Sequence, residues 1–221
     1  MKKQAIVIGL GQFGSAVARS LTSEGVEVIV VDRRQELVQE ASSYAVRAIC
    51  ADATDEQTLA ALNPGARDMA ISAIGNESRE GSIIVTALLR QLGCPFIVAR
   101  ATDRLLERIL QLVGAHEVVN PEQEFGERYA KRLAHQGLLE EIPLSENLVI
   151  TEMKVLPFMA NRTLAELKLP KQYGIMVLGI KTVEEGVEHI ALPGPERPLN
   201  EQESLLVVGR PGSTRALLKE Q

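Results

Sequence analysis

Apolar and polar positions alternate in blocks over residues 4–136, where six short apolar runs are each followed by a segment with helical spacing of its apolar residues. The runs predict strands over 4–8, 26–31, 47–51, 69–74, 95–99 and 116–119. The segments that follow them predict helices over 14–24, 34–44, 55–62, 80–92, 103–112 and 122–136. Because strands that alternate with helices pair in parallel, this order predicts an α/β fold, a Rossmann-like doubly wound sheet with helices on both faces.

The pattern changes around Gly137 and Pro143, where the periodicity is weak. We place a domain boundary there, between residues 1–137 and 138–221. Beyond it the apolar runs predict strands over 149–156, 175–181, 189–192 and 205–208, and short helices over 162–167 and 213–220. Since strands and helices no longer alternate strictly, the second domain is predicted to be a small α+β unit with hairpins.

Charge and hydropathy narrow the possible functions. The net charge is −5, and acidic residues outnumber basic ones in both predicted domains. This balance argues against nucleic acid as a partner, because nucleic-acid binding needs a basic surface. No apolar run approaches the roughly 18 residues of a membrane span. We therefore expect a cytoplasmic chain with no membrane span of its own, which reaches a membrane only through a partner.

A glycine-rich loop joins the first predicted strand to the first predicted helix. Gly9, Gly11 and Gly14 form the pattern G-x-G-x-x-G. In this pattern Gly9 permits a tight turn, Gly11 lets a phosphate approach the backbone, and Gly14 lets the helix pack close to the strand. The helix N-terminus adds N–H groups and the positive end of the helix dipole. The loop therefore predicts an adenine-nucleotide site.

An acidic residue follows at the position where such sites recognise ribose. Asp32 ends the second predicted strand and could accept hydrogen bonds from ribose hydroxyls, while its charge disfavours a 2′-phosphate. Arg33 and Arg34 come directly after it. We expect these two arginines to be solvated or to contact a distal phosphate.

The loops after the third and fourth strands lie at the same edge of the predicted sheet. Asp52, Ala53 and Thr54 end the third strand and are expected to flank the adenine. Thr54 and Gln57 also match a capping box for the next helix, and both interpretations can hold together. The segment 75–78 after the fourth strand is either a further ligand contact or a plain polar turn.

The remaining candidate side chains are scattered. Arg100 follows the fifth strand and could reach a phosphate, or it could pair with Asp103 or Glu107 on the next helix. In the second domain His189 is flanked by acidic residues and is expected to be a surface residue.

A nucleotide site without an evident catalytic set favours a sensor. An NAD-dependent oxidoreductase and a nucleotide-binding scaffold for another partner remain alternatives.

Several motifs in order resemble those of RCK domains, the regulators of potassium conductance, and more narrowly the regulatory subunits of Trk/Ktr-type potassium transporters. The resemblance extends over nearly the whole chain. It is carried by residues 6–14, 30–32, 51–54, 73–75, 113–122, 161–167, 173–175 and 205–209.

The resemblance implies a homodimer that assembles into an octameric ring beneath a membrane potassium-transporter subunit. It implies that ATP or ADP, or NAD(H), binds at the glycine loop and shifts the ring between shapes that open or close the ion path. A basic residue at Arg100 would reach the terminal phosphates, and Glu122 would lie near the nucleotide and help to hold a divalent or monovalent cation. The expected nucleotide-site residues are Gly9, Gly11, Gln12, Phe13, Gly14, Asp32, Arg33, Asp52, Ala53, Thr54, Ala73, Ile74, Gly75, Asn76, Arg100 and Glu122.

The chain departs from the family pattern at two places. Ktr-type members often carry an arginine inside the glycine loop, where this chain has Gln12, and that change weakens the expectation of strong ATP-over-ADP discrimination. The turn before the last strand is often Gly-Asp in the family, and here it is Glu203-Ser204. Some family members bind cyclic di-AMP in the second domain, and the sequence leaves that question open.

Overall fold

A computed structural model describes residues 2–75 and 78–219. The chain forms two compact units, Met1–Gln123 and Glu124–Gln221. The division falls inside the helix Pro121–Ala134, before the domain boundary predicted at residue 137. Most of this helix is thus grouped with the second unit, whereas the sequence placed it in the first. No helix in the described ranges combines the length and the apolar character that a bilayer span requires.

The first unit is built on a six-stranded parallel sheet with the order β3-β2-β1-β4-β5-β6. The strands are β1 (Gln4–Ile8), β2 (Glu27–Asp32), β3 (Arg47–Cys50), β4 (Met69–Ser72), β5 (Ile97–Arg100) and β6 (Glu117–Val119). The helices between them are α1 (Gln12–Ser23), α2 (Gln35–Ala41), α3 (Glu56–Ala60), α4 (Arg79–Gln91) and α5 (Arg104–Val113). This order confirms the predicted doubly wound fold, in which ligands bind where the strand order reverses, between β1 and β4.

The central strand β1 is buried on both faces. Ile6 and Ile8 belong to one core, which includes Leu59 of α3 and Leu89 of α4. Ala5 and Val7 belong to a second core on the other face, which includes residues of α1 and α2. Successive strand residues point to opposite faces, so one continuous apolar run supplies two cores. For this reason the sequence of β1 is a continuous apolar run and not an alternation of apolar and polar residues.

The second unit is a five-stranded antiparallel sheet with the order β10-β9-β11-β8-β7. The helix α6 (Pro121–Ala134) precedes the strands β7 (Leu138–Ser145), β8 (Leu148–Lys154), β9 (Met176–Glu184), β10 (Val187–Ala191) and β11 (Ser204–Gly209). The short helices are α7 (Leu164–Leu167), α8 (Leu169–Tyr173) and α9 (Ser213–Leu218). The α+β prediction is confirmed, but β7 and α8 were not predicted.

Candidate functional site

A cleft of about 220 Å³ opens at the carboxyl ends of β1 to β4, at the point where the strand order reverses. Its wall is formed by the last residues of β1 and β2, the glycine loop, the loops after β2, β3 and β4, and the start of α4. The lining residues are Ile8, Gly9, Gly11, Val31, Asp32, Arg33, Arg34, Ala51, Asp52, Ala53, Thr54, Ala73, Ile74, Ser78 and Gly81.

The three glycines of the loop differ in what surrounds them. Gly9 has a φ of +92°, a conformation that L side chains rarely adopt, so the turn favours glycine. A Cβ on Gly14 would lie 1.9 Å from the carbonyl oxygen of Gly9, which confirms the close helix packing predicted for this position. A Cβ on Gly11 would have no protein atom within 4 Å. Gly11 therefore leaves open space beside the backbone.

The N-terminus of α1 begins at this open space. Gly11 is the N-cap residue, no side chain caps the helix, and its first turn carries no acidic residue. The first N–H groups of a helix lack partners within the helix, and the dipole places partial positive charge there. The glycine loop therefore presents an anion-binding helix end beside the cleft.

The Asp32 carboxylate is held by four donors and its side chain is only 6% exposed. Oδ2 accepts from the Leu10 N–H at 2.6 Å and from Arg34 Nη2 at 3.1 Å, and Oδ1 accepts from the Arg34 N–H at 2.8 Å and from Arg34 Nε at 3.0 Å. Burial alone would raise the pKa of Asp32, but these hydrogen bonds outweigh it and the pKa lies below its ordinary value. The group is therefore an anion at neutral pH.

A second ion pair lies across the cleft edge, between the ends of β2 and β3. Arg33 Nη2 donates to Asp52 Oδ1 at 2.7 Å, and the Thr54 hydroxyl and N–H donate to the same oxygen at 2.6 and 2.9 Å. Hydrogen bonds from Thr54, followed by the one from Arg33, lower the pKa of Asp52 to about 2. Both arginines after Asp32 thus have carboxylate partners while their side chains stay about half exposed, and a contact of either with a distal phosphate stays a prediction.

The helix α3 is not capped as the sequence suggested. Its N-cap residue is Asp55, whose Oδ2 accepts from the Thr58 N–H at 2.8 Å. The Thr54 hydroxyl donates to Asp52 instead, so the predicted capping box of Thr54 and Gln57 was wrong. Asp55, one residue later, is a favourable N-cap residue, and it caps the helix in place of Thr54.

Arg100 at the end of β5 pairs with Glu122 in the first turn of α6, and its guanidinium carbon lies 5.8 Å from the centre of the Phe13 ring. The predicted alternative was a partner on α5, and it is wrong: Asp103 caps that helix and pairs with Arg79. Arg100 is largely buried, and within the described residues its Nε has no hydrogen-bond partner. The structure therefore brings together three residues that the sequence separates widely.

Comparison with known proteins identifies the family. The TrkA-N domain model matches residues 5–121, and the TrkA-C domain model matches residues 153–221. The chain belongs to the TrkA family. The Ktr system potassium uptake protein A of Vibrio alginolyticus is 36% identical over 94% of this chain and 92% of its own length. The Ktr system potassium uptake protein C of Bacillus subtilis is 34% identical over 95% of this chain and 93% of its own.

Solved structures agree with the TrkA-family fold. The RCK domain of GsuK superposes with a TM-score of 0.68 at 23% identity, over 99% of this chain and 47% of that one. The GsuK channel bound to NAD gives 0.67 at 22% identity, over 98% of this chain and 39% of that one. This chain thus spans about half or less of the GsuK chains. The resemblance to RCK domains read from the sequence is confirmed for the fold.

The expected site residues of this TrkA-family chain fall into three groups. Those in the cleft wall are Gly9, Gly11, Asp32, Arg33, Asp52, Ala53, Thr54, Ala73 and Ile74. Those outside that wall are Gln12, Phe13, Gly14, Gly75, Arg100 and Glu122. Asn76 lies outside the described residues.

Two lining residues lie at the start of α4: Ser78, which belongs to the segment 75–78 named from the sequence, and Gly81, which was not singled out. Ser78 is the N-cap of α4 and its Oγ accepts from the Gly81 N–H at 2.9 Å. A Cβ on Gly81 would lie 2.7 Å from that Oγ. The pattern Ser-x-x-Gly lies at the start of a predicted helix and follows a loop at the sheet edge. This pattern was the signal in the sequence that could have identified Gly81.

Proposed function

We propose that the chain is a cytosolic, nucleotide-sensing regulatory subunit of a membrane potassium transporter. The observation that carries the proposal is the cleft at the strand-order reversal, with an open, uncapped helix N-terminus beside Gly11 and a buried carboxylate at Asp32. Its support from outside the structure is the near full-length similarity to Ktr system potassium uptake proteins.

The proposed ligand is ATP or ADP. Its phosphates would approach the backbone at Gly11, where no protein atom would meet an added Cβ within 4 Å. Its ribose would meet Asp32, and its adenine would lie beside Ala53 and Thr54. Arg100 would exchange its partner Glu122 for a terminal phosphate, which is a better charge match for the guanidinium. NAD(H) is the other ligand that this geometry accommodates, and GsuK structures have been solved with NAD and with ADP.

We propose that Glu122 helps to hold a cation beside the nucleotide. Glu122 supplies one carboxylate, which is already paired with Arg100. Across the described residues no group of three or more His, Cys, Asp or Glu side chains could hold a metal ion. A hard cation at Glu122 would therefore take most of its oxygen ligands from phosphates and water, and binding would require the nucleotide.

Regulation requires that the ligands distinguish two conformations. A ligand shifts an equilibrium only by the difference in its affinity for the two states. We propose that ATP and ADP differ in their contact with Arg100, and that this difference changes the shape of an octameric ring of dimers. The ring would sit at the inner face of the membrane and open or close the ion path of its transporter partner.

Potassium uptake tests this function directly. A potassium-uptake-deficient bacterial strain would express a Ktr membrane subunit alone, with this chain, or with its Gly11→Asp variant. We expect the chain to change the potassium flux and the variant to lose that effect, because an acidic side chain at Gly11 blocks and repels the phosphates. The backbone at Gly11 has φ −65°, so aspartate fits without strain. An unchanged flux with the wild-type chain would reject the regulatory role.

Calorimetric titration with ATP, ADP, NADH and NADPH separates the ligand alternatives. We expect ATP and ADP to bind to the wild-type chain, and we expect Gly11→Asp to abolish the heat of binding of both nucleotides. Binding of NADH with no binding of ATP or ADP would instead favour an oxidoreductase, and hydride transfer to a small carbonyl compound would then be the reaction to assay.

A further inference from the structure

The donors around Asp32 divide into two fixed backbone groups and two atoms of one mobile side chain. An ionised carboxylate has about four acceptor positions, two on each oxygen. The Leu10 N–H takes one position on Oδ2, and the Arg34 N–H takes one on Oδ1. Arg34 Nη2 and Nε then take the second position on Oδ2 and on Oδ1. All four positions are therefore filled within the protein.

The positions that the Arg34 side chain fills are the ones that a ribose needs. The backbone donors belong to the glycine loop and to the start of the next loop, and they stay with Asp32 whatever the Arg34 side chain does. A ribose presents two neighbouring hydroxyls, and a carboxylate binds such a pair with one acceptor position on each oxygen. The planar guanidinium fork has the same two-point geometry.

Exposure decides which group can move. The Asp32 side chain is 6% exposed, whereas the Arg34 side chain is 47% exposed and lines the cleft. With Arg34 in place, the two acceptor positions that a ribose diol would use are occupied. The Arg34 side chain is the half-exposed member of the pair, so it can rotate towards solvent when the ribose hydroxyls replace it as donors to the buried carboxylate.

We propose that Arg34 is a specificity-determining residue that competes with the ribose diol of the nucleotide for Asp32. The inference rests on the proposed function, since it takes an adenine nucleotide as the ligand of this cleft. The bound nucleotide displaces the guanidinium, so part of the diol's interaction energy replaces an existing ion pair. Arg34 therefore lowers the advantage of a ribonucleotide over an analogue that lacks both hydroxyls.

The test compares ATP with 2′,3′-dideoxy-ATP by calorimetry on the full chain. The measured quantity is the ratio of the two dissociation constants, dideoxy-ATP over ATP. Any general effect of charge on the phosphates is common to both ligands and cancels in this ratio. Arg34→Met keeps the length and the apolar stem of the side chain and removes the fork. We expect the ratio to rise about three- to tenfold in Arg34→Met, because the diol then meets an uncontested carboxylate.

Arg19→Met is the matched control. Arg19 is 49% exposed, pairs with a single carboxylate at Glu40, and is absent from the cleft wall. We expect its ratio to equal that of the wild type. Thermal unfolding of both variants checks that the fold is retained.

The outcomes separate this inference from the proposed function. If both ligands bind and the ratio in Arg34→Met equals or falls below that of the wild type, the competition is refuted and the nucleotide site stands. If ATP binds to Arg34→Met and not to the wild type, the competition is supported in its strongest form. If ATP binds to neither protein, the competition is refuted for ATP, and the proposed nucleotide sensing is refuted as well if ADP and NADH also fail to bind.

Discussion

Replacement of Gly14 by alanine tests whether the glycine loop sets the distance between α1 and β1. The new Cβ would stand 1.9 Å from the Gly9 carbonyl oxygen and 2.9 Å from the Ala73 Cβ. Nonbonded atoms pack at about 3.5–4.0 Å, so α1 would have to move away from the sheet by more than about 1 Å. Overpacking costs about 1–3 kcal/mol, and the obstacle here is backbone, which places the cost near 3 kcal/mol.

The helix preference of alanine over glycine offsets roughly 1 kcal/mol of that cost. We therefore expect Gly14→Ala to lower the free energy of unfolding by about 2 kcal/mol. For a chain of this size the loss corresponds to a fall of about 4–8 °C in the midpoint of thermal unfolding. Far-ultraviolet circular dichroism, which reports secondary structure, follows the transition.

Gly11→Ala is the matched control in the same loop. No protein atom lies within 4 Å of its added Cβ, and the backbone at φ −65° accepts alanine. We expect its unfolding free energy to stay within about 0.5 kcal/mol of the wild type. Its affinity for ATP should nevertheless fall, because the methyl group takes space that the phosphates need. Equal unfolding midpoints for Gly14→Ala and Gly11→Ala would refute the packing argument.

Four further outcomes can be measured. Asp32→Asn should weaken ATP binding by about 1–3 kcal/mol in calorimetry, since the ribose loses charge-assisted hydrogen bonds; an unchanged affinity would contradict the ribose assignment. Arg100→Met should weaken ATP binding more than AMP binding, because only the longer phosphate chain reaches this position, and equal losses would argue against that contact. The folded-state pKa of Asp52 is lowered from 3.8 to about 2, so its stabilisation is present above pH 3.8 and is lost as the pH falls towards 2; the unfolding free energy of Asp52→Asn should fall less steeply over that range, and parallel curves would speak against the hydrogen bonds that Thr54 and Arg33 donate to this carboxylate. Light scattering should give a mass well above the 24.1 kDa of one chain, and a monomer would be incompatible with a ring-forming subunit.

The first unit was predictable because its signals are local. Each strand of the parallel sheet is a continuous apolar run, and each connection carries its own turn and helix signals. The strand β7 lacks such a signal. Glu140, Glu141 and Pro143 interrupt its apolar pattern. It is tolerated as a strand because it lies at the edge of the sheet and, among the described residues, pairs only with β8.

Side-chain partners in the candidate site were predicted less well than its backbone. The glycine spacing is enough to predict the roles of Gly9 and Gly14, because the backbone geometry at these positions requires a residue without a side chain. The pairing of Arg33 with Asp52, and of Arg100 with Glu122, depends on which strand ends lie next to each other. Arg100 and Glu122 meet because β5 and β6 are neighbours in the sheet, which no local pattern in the sequence encodes.

The two-sided burial of β1 bears on how this chain can change in evolution. Ile6 and Ile8 belong to the same core as residues of α3 and α4, whereas Ala5 and Val7 belong to the same core as residues of α1 and α2. Substitutions that have no partners in common tend to be additive in their effect on stability. Each helical layer can therefore be repacked by drift without compensating changes in the other. The strand that carries the glycine loop stays fixed between two layers that vary independently.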